Sequence, residues 1–258
     1  MVLLADDPRF RPAMQLIDNA EYAEALKYLD ALVDRLSKEE RVVALYWKVR
    51  CLSSLSEFTQ ARRYLEEALA EVDARNPLRI CLRLQSAFLL HAENGLEKAI
   101  LELRDLLDRY ADDLKSPDLF WIYVQAKTDL GSCLLSAAHY SEAVKELEEA
   151  LSLQNQPLSR YYLLYWLGDA FYKLGDLDEA RTYFEHALVE AEHAPKVGLF
   201  PYYAARLRYE LALIAYWQHR IPDAIRELEF ASAVAIADPE LLRVIGRLKA
   251  LVDQARAS

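Results

Sequence analysis

Apolar residues recur along this chain in steps of three and four, the interval that lines up one face of an α-helix. One segment carries the pattern most cleanly. It reads Leu167-Gly168-Asp169-Ala170-Phe171-Tyr172-Lys173-Leu174-Gly175-Asp176-Leu177-Asp178-Glu179-Ala180 and continues to Phe184 and Ala187-Leu188. The same skeleton returns at Tyr22-Ala25-Leu29-Leu32, Phe58-Ala61-Leu65-Ala68, Leu96-Ala99-Leu103-Leu106, Tyr140-Ala143-Leu147-Ala150 and Ile221-Ala224-Leu228-Ala231. An alanine holds the second position in all six copies: Ala25, Ala61, Ala99, Ala143, Ala180 and Ala224.

Each copy follows another amphipathic stretch. Two antiparallel helices approach closely only where the touching residues are small. Twelve positions before the six alanines stand Ala13, Val49, Ala87, Gly131, Gly168 and Ala212, five of them small. The pattern therefore predicts six helix pairs, near 8–36, 39–74, 77–111, 117–154, 158–193 and 199–236. A last amphipathic segment, 239–256, carries Leu241, Val244, Ile245, Leu248, Leu251 and Val252 on one face and reads as a cap on the open end of a stack. Pro77, Pro117, Pro157, Pro201 and Pro239 fall at predicted helix starts, where a missing N–H costs least. Pro12 interrupts the first helix of the first copy.

These residues resemble the tetratricopeptide repeat family. The stretch from Leu167 to Leu188 comes nearest its consensus, through Leu167-Gly168, Phe171, Gly175-Asp176, Ala180, Phe184 and Ala187. The resemblance implies an all-α fold, a right-handed α-solenoid of about six antiparallel pairs plus a C-terminal capping helix, taken as one domain over 1–258. The alanine spacings of 36, 38, 44, 37 and 44 residues exceed the family's usual period, so several helices or loops are extended.

The resemblance also implies where a ligand lies, since first helices line the concave surface in that family. By phase, the inward positions are Tyr46, Trp47, Arg50 and Ser54 in the second copy, and Gln85, Phe88 and His91 in the third. In the fourth they are Gln125, Thr128, Asp129 and Ser132. The fifth contributes Tyr162, Tyr165, Trp166, Asp169, Tyr172 and Lys173; the sixth, Arg206, Tyr209, Glu210, Leu213, Tyr216 and Trp217. Tyrosine, tryptophan and arginine supply much of the energy at protein interfaces. The expectation is a protein or peptide partner held in the groove, with the fifth and sixth copies as its main surface. Ordinary packing between hairpins is the competing use of each ring. Tyr46 and Arg50 stand where one family subgroup places lysine and asparagine to grip a peptide carboxylate, so that specificity is not carried over. Two further functions stay open: a ligand-sensing regulatory domain, and self-assembly into a homo-oligomer through the ends of the stack.

Composition trims the alternatives. The net charge of −10, without a long Lys/Arg run, argues against nucleic acid as a partner. Six glycines and nine prolines are too few for a chain of β-hairpins, and 53% apolar residues promise a real core. Three widely spaced cysteines, Cys51, Cys81 and Cys133, suggest reduced thiols. The acidic start and the lack of a long apolar run predict a cytoplasmic chain without membrane insertion. No pair among His91, His139, His186, His193 and His219 has metal-binding helix spacing, and no phosphate loop or nucleophile elbow occurs. Asp129 and Asp169 are a conceivable carboxylate pair but lack a supporting partner. The reading is a non-enzyme without cofactor or metal.

Overall fold

In the computed structural model the described residues are 7–33, 35–74, 76–193, 200–234 and 238–257. They form thirteen α-helices and one short 3-10 helix, and no strand occurs among them. The chain forms two compact units that divide after Ala137.

The first unit holds α1 (Arg11–Asp18), α2 (Tyr22–Val33), α3 (Lys38–Ser54), α4 (Phe58–Glu71), α5 (Leu78–Ala92), α6 (Leu96–Arg109) and α7 (Phe120–Ser136). Each helix packs on the next, and α5 also touches both α3 and α7. The second unit holds α8 (Tyr140–Leu153), α9 (Pro157–Leu174), α10 (Leu177–His193), α11 (Phe200–Trp217), α12 (Ile221–Val234) and α13 (Pro239–Ala257). Again each packs on its successor, and α13 lies against both α11 and α12, burying Leu241, Ile245, Leu248 and Val252 as a cap does.

The hairpin key behaves as expected. All six phased alanines are fully buried, and so are Ala13, Val49 and Ala212. Gly168 shows why the crossing residue must be small. A methyl group placed there would lie 2.6 Å from Cε1 of Phe184 on α10. Basic side chains on first helices then bind acids on second helices within a hairpin. Arg83 on α5 reaches Glu102 at 2.8 Å and Asp105 at 2.7 Å on α6. Arg160 pairs with Glu190 at 2.6 Å, and Arg208 with Glu227 at 2.7 Å. Part of the chain's acidity is thus spent inside the hairpins.

Two boundaries differ from expectation. Helix α7 begins at Phe120 and not near Pro117. A 3-10 turn at Asp113–Lys115 precedes it, and the N–H groups of Leu119 and Phe120 both bond to the Ser116 carbonyl, which spends Pro117 in a turn. Helix α1 keeps Pro12 in its first turn, so the proline shortens the helix without breaking it.

The turns inside the hairpins share a device that the sequence shows only once. Ala20, Ser56, Asn94, Ala138, Gly175 and His219 all have positive φ, and each lies five residues before its phased alanine. In the fifth copy the Asp176 N–H bonds to the Phe171 carbonyl and the Gly175 N–H to the Tyr172 carbonyl, the paired bonds of a Schellman helix end. Ala20-Glu21, Ser56-Glu57, Asn94-Gly95 and His219-Arg220 make the same pair of bonds. Only Gly175 takes this left-handed conformation without a Cβ penalty. Ala138→Gly should therefore raise stability by about 0.5–1 kcal/mol, read as a higher midpoint in urea with an unchanged slope.

Candidate functional site

The second unit brings the first-helix residues of the fifth and sixth copies onto one face. Steps of three and four along α9 align Tyr162, Tyr165, Trp166, Asp169, Tyr172 and Lys173. The same steps along α11 align Arg206, Tyr209, Glu210, Leu213, Tyr216 and Trp217. The two rows meet. Tyr162 and Tyr203 hydroxyls lie 2.5 Å apart, and Arg206 Nε donates to the Tyr165 hydroxyl at 2.9 Å. The Arg206 guanidinium also stands 5.5 Å from the centre of the Tyr165 ring.

Beneath this face the rings become core. Tyr161 is buried, its ring tilted against Tyr203 at 4.6 Å, while Tyr165 leans on Phe184 at 5.7 Å. Tyr162 lies 5.9 Å from Trp166, which is half-buried. The outer layer is Trp166, Tyr172, Lys173, Tyr209 and Trp217. Trp217 is 55% exposed and meets Tyr216 edge-on at 5.5 Å. Lys173 sits 5.7 Å from the Tyr172 ring centre. Sequence phase missed Tyr203. Tyr203 precedes Arg206 by three residues, so the same periodicity extended one turn earlier reaches it.

Charge on this face is held in an apolar setting. Burial pushes the Glu210 carboxyl up to about 7; Arg206, Lys173 and the Tyr165 hydroxyl oppose the rise, and the neighbouring charge of Asp169 adds to it. Burial also raises Asp169, against Lys173 and Arg206. The Tyr165 hydroxyl is pushed up to about 12, mainly by burial.

In the first unit the expected groove residues divide. The expectation that Tyr46 and Trp47 offer their rings to a ligand is corrected. Tyr46 is 1% exposed and Trp47 7%. Helix α3 packs against α2, α4 and α5, so residues 42–49 are buried without a break and no phase separates groove from core. Arg50 remains exposed, its guanidinium 5.2 Å from the centre of the Trp47 ring. It lines a cleft of about 290 Å³ with Gln85, Phe88, Trp121, Gln125 and Asp129 from α5 and α7, and the edge of the buried Tyr46 reaches the same cleft. Trp121 escaped the sequence reading, although it stands four residues before Gln125 on the same helical face. Gln125 Nε2 donates to Asp129 at 2.8 Å, and burial pushes the Asp129 carboxyl up to about 7 against that bond. Asp129 belongs to the first unit and Asp169 to the second.

The raised acids set a pH dependence with a definite sign. Asp129 and Glu210 hold their protons more tightly folded than unfolded, so their burial cost is absent at low pH. It grows as pH rises from about 4 and levels off above about 7. Stability should fall across that window. Asp129→Asn and Glu210→Gln should each flatten the fall by about 1 kcal/mol, measured as Tm against pH.

Other reactive groups are quiet. Cys51, Cys81 and Cys133 are buried free thiols, and burial pushes Cys81 and Cys133 up to about 12. His91 is half-buried, 3.3 Å from the Ser136 hydroxyl, and burial lowers its pKa. The His193 side chain lies outside the described residues. Among the described residues no group of three or more His, Cys, Asp or Glu is placed to hold a metal ion, and no helix is long and apolar enough to cross a membrane.

Comparison with known proteins gives this arrangement a context. A family model described as tetratricopeptide repeat matches residues 128–195. The chain is 29% identical over 98 residues to the photosystem I assembly protein Ycf3 of Acaryochloris marina (strain MBIC 11017), across 38% of this chain and 56% of that protein. Among solved structures it is similar to PilW, a type IV pilus biogenesis factor, with a TM-score of 0.73 and 17% identity over 94% of this chain and 99% of that one. The apo form of the quorum sensor NprR from B. thuringiensis gives a TM-score of 0.73 at 15% identity, over 93% of this chain and 68% of that one. At these identities the likeness shows the helical-repeat fold.

Proposed function

We propose that the chain, which belongs to the tetratricopeptide-repeat family, is a non-catalytic, cytoplasmic binding module that holds a peptide or helix of a partner protein on the α9–α11 face. The observation that carries the reading is the outer aromatic layer. Trp217 stays more than half exposed at the end of α11, and Trp166, Tyr172 and Tyr209 continue the same face. Exposed aromatic rings beside half-buried charged groups suit a desolvated anchor with fixed polarity. Arg206, Lys173, Asp169 and Glu210 would set the direction of the bound segment. The similarity to an assembly protein and a pilus biogenesis factor supports a role in holding other proteins.

Two side chains test this without touching the core. Tyr165 is a poor choice, because it braces Phe184 and Arg206. The double variant Trp166→Ala/Trp217→Ala should keep its helical circular dichroism and lose partner capture by about 30-fold or more, the scale of two interface anchors. Capture at native strength by a folded double variant would place the binding surface elsewhere.

A further inference from the structure

The cleft in the first unit has a chemistry that the α9–α11 face does not explain. Its volume of about 290 Å³ is at the small end of small-molecule sites and too small for a length of peptide. Arg50 on α3, which bonds the Tyr46 hydroxyl, and the acid Asp129 on α7 line the same space, and neither takes part in an ion pair among the described residues. Two amides, Gln85 and Gln125, and two aromatic rings, Phe88 and Trp121, each 42% exposed, line it with them.

We propose that this cleft binds a free amino acid as its zwitterion, with an apolar or aromatic side chain. The carboxylate would lie on the Arg50 guanidinium, which offers a planar fork of donors matched to it. The ammonium would lie on Asp129, whose carboxylate accepts only the 2.8 Å bond from Gln125 among the described hydrogen bonds. The side chain would cover Phe88 and Trp121, where exposed rings have no other occupant in the unit. A half-buried carboxylate without a counter-ion is costly, and a ligand ammonium removes that cost. Both charges of the ligand are used, because a molecule with one meets only Arg50 or only Asp129.

The proposal is independent of the α9–α11 reading. Isothermal titration of the full chain with L-phenylalanine and L-leucine tests it, with 2-phenylethylamine and 3-phenylpropionate as probes that each keep one charge. Saturable binding of an amino acid is expected, weakened about tenfold or more in the single-charge probes and in Asp129→Asn and Arg50→Gln. Both variants conserve size, and their circular dichroism reports whether the helices persist. The proposal is overturned if neither amino acid binds the native chain. It is equally overturned if a single-charge probe matches L-phenylalanine, or if both folded variants bind as well as the native chain.

Discussion

Replacing Gly168 with leucine should cost about 3 kcal/mol, the upper end for overpacking a core. The reason is distance. The first carbon of any side chain at 168 would sit 2.6 Å from Cε1, 2.7 Å from Cδ1 and 3.0 Å from Cγ of Phe184. Those ring atoms belong to a stiff side chain that is itself 2% exposed and pressed against Tyr165. Helices α9 and α10 must then separate, and Ala180 and Ala187, both fully buried, lose their contacts. Even Gly168→Ala should destabilise, although alanine is the better helix former by about 1 kcal/mol. The double variant Gly168→Ala/Phe184→Leu should recover part of the loss, since the clash lies between those two groups. Urea unfolding of the four species of this cycle measures the coupling. Additive losses would mean that the close approach is not what keeps glycine there.

Tyr46→Ala and Trp47→Ala should each cost about 3–5 kcal/mol, the range for large side chains removed from a packed core. Both rings were expected at a ligand surface, and both are buried on α3. They meet edge-on, 5.2 Å apart. Burial holds the Tyr46 hydroxyl up to about 12, with Arg50 opposing. A core role and a groove role predict different results. Core removal lowers the unfolding midpoint and leaves binding at the α9–α11 face unchanged in the folded fraction. Groove removal does the reverse. Denaturant unfolding beside a binding titration separates the two.

The contrast between α3 and α11 shows what the sequence makes legible. The hairpins are readable because the alanine twelve residues after a small residue fixes which faces meet, and every one of the six alanines is buried. The α9–α11 rows are readable because those helices keep polar residues, Asp169, Lys173, Arg206 and Glu210, in phase with the rings. Helix α3 has no such contrast. Its residues 42–49 are all buried, so the ring positions carry no phase information. The left-handed turns are legible only at Gly175, where the residue matches the conformation; Ala20, Ser56, Ala138 and His219 give no local sign of it. The start of α7 is hidden because Pro117 serves a turn as well as it would a helix start.

The central claim is that the partner lies on the α9–α11 face. Photo-crosslinking tests it most directly, with p-benzoylphenylalanine placed at Trp217 in one protein and at Val189 on α10, also exposed, in another. Irradiation in the native cell should join a partner polypeptide to the probe at position 217 and leave the probe at 189 unjoined. Crosslinking at 189 with none at 217 would contradict the account.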